Sequence, residues 1–198
     1  MWLFLLWCSF CLVHSFLASD WIKRKIKSIT GIYFRYYRFS YSVFAVIHLA
    51  IVLVYQFSIP GRVLWQNSFL IGLLAILWGA VGIIIMFISI YKYFFYLSGI
   101  DVFTKQSAPS TLQLDGMHRY TRHPLCLGTL IVVWSLFVLF PLLSNLVATL
   151  TITAYTLIGI RMEERKLLVE YGESYKKYIS EVPRLFPKIH LKGKQVNS

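Results

Sequence analysis

The chain has 198 residues, of which 58% are hydrophobic, and its formal net charge is +12 at pH 7. The length suits one domain, and the hydrophobic share exceeds what a water-soluble core of this size requires, which excludes an ordinary soluble globular fold. The positive charge alone would suit nucleic-acid binding, but it follows membrane topology along the chain, so no nucleic-acid partner is predicted.

Five apolar windows reach or approach the roughly 20 residues that a bilayer-spanning helix requires. They cover residues 1–19, 39–57, 68–97, 125–143 and 145–160. The third window overshoots the bilayer, and its end has the aromatic and basic character of the headgroup layer. The first lacks the basic start and the small-residue cleavage site of a secretory signal, so we expect it to be retained. The sequence therefore predicts an all-α integral membrane protein with about five transmembrane helices.

The basic residues lie almost entirely on one side of these windows. Of the 20 Lys and Arg residues, only Arg62 falls between the second and third windows, and none falls between the fourth and fifth. The others fall on the opposite face, as the positive-inside rule requires. We therefore expect the N-terminus outside and the C-terminus in the cytoplasm, in a bacterial inner membrane whose lipids contact the basic segments.

We interpret residues 1–198 as a single membrane domain with three parts. Residues 1–97 are a three-span scaffold, and residues 188–198 are a basic tail. Between them, residues 98–187 contain a long polar loop, a helical hairpin and a cytoplasmic C-terminal helix that covers the candidate site. The helix is predicted from an apolar stripe at i, i+4 spacing, which Gly172 interrupts. Function is expected here because long ordered loops commonly carry it.

The three cysteines are not predicted to bind a metal. Cys8, Cys11 and Cys126 are an odd set in apolar windows, and no paired zinc spacing accompanies them. Cys8 and Cys11 have the spacing of a redox motif, but a transmembrane helix lacks the strand-to-helix context of such motifs. We interpret all three as packing residues.

Two ionisable clusters meet at the open end of the predicted hairpin. Arg122 and His123 precede the fourth span, whereas Arg161, Glu163 and Glu164 follow the fifth. Charged groups at a membrane boundary are costly unless paired, which favours a functional site. The alternative is that the arginines snorkel to water and that Glu163 forms a structural ion pair with Arg122. The residues alone leave both interpretations open.

A spaced set of residues in the C-terminal half carries a family resemblance. The set consists of Gly116, Tyr120, Arg122, His123, Pro124, Gly128, Arg161, Glu163, Glu164, Leu167, Gly172, Tyr175, Tyr178, Val182, Arg184 and Pro187. In order and spacing it resembles the isoprenylcysteine carboxyl methyltransferase and phospholipid methyltransferase superfamily. The stretches 14–19, 99–106 and 153–165 are similar to the bacterial branch that holds methanethiol S-methyltransferase and NnrU-like membrane proteins.

This resemblance implies a membrane enzyme that uses S-adenosyl-L-methionine. The cofactor carries a carboxylate, an ammonium, a sulfonium and an adenine, so it needs cationic, anionic and apolar groups together. The residues that the resemblance implies for cofactor binding are Leu112, Leu114, His118, Arg122, His123, Pro124, Gly128, Glu163 and Glu164.

The acceptor implied by the resemblance is a small thiol, or a lipid-like or carboxyl compound that enters laterally between helices. A carboxylate acceptor needs no base, whereas a thiol must lose its proton, and His118 or His123 would assist because imidazole titrates near neutrality. Arg161 would orient an anionic acceptor or stabilise a thiolate. His118 and Arg161 are therefore the predicted catalytic residues.

Two alternatives remain at the level of sequence. His14 and His48 lie within predicted spans, which keeps open a haem-binding membrane isomerase or oxidoreductase of the NnrU-like type, recognisable by a haem absorbance that depends on either histidine. A non-catalytic membrane assembly factor would keep the fold and tolerate Glu163→Gln without loss of function.

Overall fold

The computed structural model describes residues 1–98, 114 and 116–187. These residues form six α-helices and two short 3-10 helices, and their only extended pairing is a single bridge between Val63 and Leu142. The α-helices are α1 Trp2–Ala18, α2 Asp20–Thr30, α3 Tyr37–Ser58, α4 Phe69–Ser98, α5 Pro124–Leu139 and α6 Leu143–Glu181. The prediction of an all-α protein is confirmed.

The helices have the composition of membrane spans. Three helical stretches are long and apolar enough to cross a bilayer, namely Asp20–Ser58, Phe69–Tyr91 and Leu143–Glu181, and α1 and α5 are shorter apolar helices. Large apolar side chains point outward from them, such as Trp78 and Phe87, which are 61% and 66% exposed. Because such surfaces are stable only against lipid, the chain is an integral membrane protein.

The main contacts between the helices follow the order α4, α5, α6, α1 and α3, and α3 also has a smaller contact with α4. Glycines allow α4 and α5 to approach closely, since a Cβ atom on Gly128 would lie 2.9 Å from the carbonyl oxygen of Gly82. Small residues commonly bring membrane helices together in this way. At the other end of the row, Trp7 of α1 packs with Val52 of α3 and Ala148 of α6.

The predicted hairpin of the last two spans is present, with only residues 140–142 between α5 and α6. The connection between α3 and α4 is hydrogen-bonded to this turn. The Leu64 amide donates to the Pro141 carbonyl at 2.8 Å, and the Leu143 amide donates to the Arg62 carbonyl at 2.9 Å. These bonds satisfy backbone groups at the helix ends. The start of α5 and the later turns of α6 consequently lie at the opposite end of this hairpin.

The long helix α6 runs beyond its apolar part and bends where the sequence predicted an interruption. Gly172 has φ 53°, a left-handed conformation that glycine adopts without a side-chain clash. After the bend, Tyr175 and Tyr178 are buried. The bend therefore brings the end of α6 back to the start of α5.

The sequence interpretation did not include α2. Ser19 caps this helix by accepting a hydrogen bond from the Ile22 amide, and Asp20 forms an ion pair with Lys166 of α6 at 2.6 Å. Ile22 of this helix is buried, whereas Arg24, Lys25 and Lys27 are exposed. Helix α2 is therefore an amphipathic helix that joins the first span to the later part of α6.

Candidate functional site

The site forms where the start of α5 meets the middle of α6. Pro124 occupies the first turn of α5, where its missing N–H is not needed, and this placement fixes the preceding His123 at the N-cap. Thr121, Arg122 and His123 are all buried. The backbone of this short segment thus aims two ionisable side chains at α6.

Glu164 is the centre of the site. One carboxylate oxygen, Oε1, lies 3.2 Å from Nη2 of Arg122 and 3.3 Å from Nε2 of His123. The other oxygen, Oε2, lies 2.7 Å from Nη2 of Arg184. The Glu164 side chain is only 7% exposed, so these partners offset the cost of burying its charge. Glu164 therefore holds Arg122 and His123 in place.

Glu163 has a different environment although it is the next residue. Its side chain is 58% exposed, and its carboxylate Oε2 lies 3.4 Å from Nδ1 of His123. The ion pair that the sequence suggested between Arg122 and Glu163 is formed instead with Glu164. Glu163 consequently keeps a carboxylate that is accessible to a ligand.

Arg122 has unused hydrogen-bonding capacity in a buried position. In the part of the chain that the structure describes, its Nε and Nη1 atoms are buried without a hydrogen-bond partner. The hydroxyl of Tyr175 is also buried without a partner and lies within electrostatic range of Arg122 and Glu164. Unpaired buried donors are costly, and an anionic ligand would satisfy them.

The segment after α6 closes over the site as a strap, which we define as residues 182–187. The Arg122 amide donates to the Pro183 carbonyl at 3.0 Å, and the Thr121 hydroxyl donates to the Arg184 carbonyl at 3.1 Å. Leu185 is buried beside Leu127 and Ile160. The strap brings Arg184 to Glu164, a role that the sequence did not predict, although Arg184 belongs to the spaced set that carries the family resemblance.

The predicted site residues before α5 lie close to the ion-pair network of Glu164, but each has a different environment. His118 belongs to the 3-10 helix Gly116–Arg119, where its Nδ1 lies 3.2 Å from the Arg122 carbonyl oxygen and its own carbonyl accepts from the Tyr178 hydroxyl at 2.7 Å. Leu114 is 43% exposed. Leu112 lies outside the described residues. The cofactor contacts predicted for these residues stay predictions.

Two further predicted residues lie apart from the network. Gly128 is buried against α4, where a Cβ atom would meet Met86 and Gly82, so its position serves helix packing. Arg161 is exposed on α6. Their predicted roles in cofactor binding and catalysis stay predictions.

Comparison with known proteins decides the family. The family described as NnrU protein matches residues 2–189, which is nearly the whole chain. The chain belongs to the NnrU family. The match includes all six helices as well as the strap, so the NnrU assignment covers the fold and the site together.

Several relatives of the chain carry the name of an enzyme. The chain is 29% identical over 157 residues to the methanethiol S-methyltransferase of Crocosphaera subtropica, covering 73% of this chain and 59% of that relative. It is 31% identical over 131 residues to the methanethiol S-methyltransferase of a Pseudomonas species, covering 63% and 47% of the two proteins. The chain therefore spans about half the length of these curated relatives. No solved structure matches it.

The two intramembrane histidines of this NnrU-family chain each contact a neighbouring helix. The Tyr41 hydroxyl of α3 lies 2.8 Å from Nδ1 of His14, and Ser9 of α1 lies 3.4 Å from Nε2 of His48. No group of three or more His, Cys, Asp or Glu side chains among the described residues is arranged to hold a metal ion. Both histidines thus have the interhelical contacts that polar residues make in membranes.

Proposed function

We propose that this chain is a membrane-embedded methyltransferase that uses S-adenosyl-L-methionine and acts on a small thiol or a lipid-like or carboxyl acceptor. The observation that carries the proposal is the pair of unpartnered Arg122 donors, buried beside an accessible carboxylate. The methyltransferase names of the relatives support the same reaction class.

The residues present fit the polar groups of this cofactor. Arg122 offers Nε and Nη1 to a carboxylate, and Glu163 offers its exposed carboxylate to an ammonium group. Charge-assisted hydrogen bonds of this kind are the strong ones in proteins. When bound, the cofactor supplies an electrophilic methyl group on a sulfonium sulfur.

The chain itself contributes positioning and the exclusion of water. Glu164 fixes Arg122 and His123, and the strap covers them through two backbone carbonyls. Holding reactants in line in a closed site lowers the barrier of a displacement without a covalent enzyme intermediate. The apolar walls of α5 and α6 would receive the uncharged parts of both reactants.

Binding of S-adenosyl-L-methionine to the protein in lipid nanodiscs tests this proposal. Arg122→Lys keeps a cation beside Glu164 but removes the two unused donors, so we expect affinity to fall by roughly 10- to 100-fold, the value of one or two charged hydrogen bonds. Decarboxylated S-adenosylmethionine lacks the group that these donors bind, so its affinity should be nearly equal for both proteins.

Arg119→Lys is the matched control, because Arg119 is an exposed arginine three residues earlier in the chain. It should bind both compounds as the wild type does. Absence of saturable binding to the wild type would overturn the proposal and favour the assembly factor or the haem protein. Equal weakening of both compounds by Arg122→Lys would show that Arg122 does not bind the carboxylate.

A further inference from the structure

A second polar cluster lies within the apolar part of the helices. The His14 ring of α1 lies between two tyrosines, with ring centroids 5.3 Å from Tyr41 of α3 and 6.5 Å from Tyr155 of α6. The Ser15 hydroxyl donates to the Tyr155 hydroxyl at 3.0 Å. Three helices therefore bring an imidazole and three hydroxyls together in a membrane segment, where polar groups are costly and indicate function by default.

This cluster lies near the site described above. Two contacts align α1 and α2 with α6: Ser15 with Tyr155, and Asp20 with Lys166. Glu163 follows Tyr155 by two helical turns, which is about 12 Å along the helix axis. Cys126, in the first turn of α5, is within electrostatic range of both Tyr155 and Glu163. Cys126 therefore lies near both Tyr155 of the cluster and Glu163 of the site.

The histidines of the site itself are already oriented toward other groups. Both ring nitrogens of His123 face carboxylate oxygens, and Nδ1 of His118 contacts the Arg122 carbonyl. The groups around His14 are different, because Tyr41, Tyr155 and Ser15 are neutral. The Tyr41 hydroxyl lies 2.8 Å and 2.9 Å from the two ring nitrogens of His14 and can bond only one at a time. When this hydroxyl accepts from the protonated ring nitrogen, the other nitrogen keeps its lone pair and can accept a proton.

We infer that His14 is the proton acceptor for a small, uncharged thiol, which is then the methyl acceptor; this inference rests on the proposed function. The thiol S–H bond breaks, the proton moves to a ring nitrogen of His14, and the sulfur keeps the electron pair. That pair forms a bond to the transferred methyl carbon, whose bond to the leaving sulfonium sulfur breaks and returns its pair to that sulfur. The Tyr41 hydroxyl oxygen accepts a hydrogen bond from the resulting imidazolium.

The surroundings of the cluster favour this class of acceptor. Phe10 packs on the His14 ring with centroids 5.7 Å apart, and Cys11 is buried one turn before Ser15. None of the described residues that contact His14 is a lysine or arginine, so no cation is placed there to receive a carboxylate or a phosphate. A small neutral thiol crosses a hydrocarbon layer without the cost of moving a charge.

Methyl transfer to two thiols of different acidity tests the role of His14. An alkanethiol is protonated at neutral pH, whereas an aromatic thiol such as thiophenol is largely ionised and needs no base. With full-length protein in nanodiscs, His14→Gln should lower the rate with an alkanethiol by at least about 100-fold, the usual contribution of a general base. The rate with thiophenol should stay within about threefold of the wild type, because that acceptor has already lost its proton.

His48→Gln is the matched control, since His48 also lies between α1 and α3 but, among the described residues, contacts Ser9, Phe10 and Phe44 and no tyrosine hydroxyl. It should leave both rates unchanged. Tyr41→Phe removes the hydroxyl that stabilises the imidazolium, so it should slow the alkanethiol reaction by about tenfold, the lower end of what a charged hydrogen bond contributes, and spare thiophenol. This second variant keeps the inference testable if His14→Gln does not fold.

A measurement without turnover separates the two proposals. In the presence of S-adenosylhomocysteine, an alkanethiol bound to the wild type should show the ultraviolet absorbance of a thiolate, and bound to His14→Gln it should not. Equal loss of both thiol reactions, or no loss of either, in a variant that still binds S-adenosyl-L-methionine would overturn the inference and leave the proposed function standing. Failure of the wild type to bind the cofactor would overturn both.

Discussion

Glu163 and Glu164 are adjacent in the chain but have opposite environments, and their substitution should separate stability from ligand binding. Glu164→Gln removes the charge that compensates buried Arg122, so we expect the free energy of unfolding to fall by about 3 kcal/mol. Arg184, whose side chain is 48% exposed, contributes less because water screens its pair. Denaturant-induced unfolding in detergent, followed by tryptophan fluorescence, measures the change.

Glu163→Gln is the control because the Glu163 side chain is more than half exposed. Its unfolding free energy should stay within about 0.5 kcal/mol of the wild type, as for most surface substitutions. Its affinity for S-adenosyl-L-methionine should nevertheless fall by about tenfold or more, which corresponds to the loss of one charged contact. Equal stability of the two variants would contradict the separate roles of the two carboxylates.

The sequence predicted that the start of the fourth span lies beside the end of the fifth, because a short connection joins the other ends of these two spans. It did not predict which glutamate is buried. That distinction depends on the rotation of α6 about its axis, which directs Glu164 toward Arg122 and leaves Glu163 at the surface. It depends also on Arg184, whose approach to Glu164 requires the bend at Gly172 and the strap.

The close crossing of α4 and α5 makes a prediction about individual helices. Gly128→Ala would place a Cβ atom 2.7 Å from Met86 Cγ and 2.9 Å from the Gly82 carbonyl oxygen, both closer than real contacts allow. Because the backbone of α4 must then move away, we expect a loss of about 1–3 kcal/mol in unfolding free energy, as for other overpacked interiors. The same unfolding measurement in detergent detects it.

Gly159→Ala in α6 is the matched control, because a Cβ atom there would have no neighbour within 4 Å. Alanine forms helices better than glycine, so this variant should be neutral or stabilised by up to about 1 kcal/mol. If Gly128→Ala were as stable as Gly159→Ala, the close packing of α4 against α5 would be wrong.

The helices themselves followed from hydrophobic length, with one exception. The first three apolar windows coincide with α1, α3 and α4 to within a few residues, because a span must match the thickness of the bilayer. Helix α2 was missed because four basic residues in its 11-residue sequence hide the apolar side that carries Ile22. A short amphipathic helix can be recognised in a sequence only by apolar residues that recur about every 3.6 residues. A basic segment as short as α2 contains too few such repeats.

At the scale of the whole molecule, the order of the row explains why sequence could not locate the His14 cluster. Helix α1 is inserted between α6 and α3, so residues more than 100 positions apart, such as Ser15 and Tyr155, become neighbours. Nothing in the hydrophobic pattern specifies which spans are adjacent, since every apolar face fits lipid equally well. Polar pairs between helices determine the arrangement instead.

The orientation of this row in the membrane is the remaining prediction, and the distribution of charge decides it. Arg62 is the only basic residue between α3 and α4, and none lies between α5 and α6, so these turns should face the outside. A fluorescent protein fused to the C-terminus should then fluoresce, and alkaline phosphatase inserted near Arg62 should be active, because the first folds in the cytoplasm and the second outside. The control exchanges the two fusions. Alkaline phosphatase at the C-terminus should then be inactive, and the fluorescent protein near Arg62 should not fluoresce. The opposite pattern would place Glu163 and the strap on the outer face, away from a cytoplasmic methyl donor, and would contradict the proposed function as well as the topology.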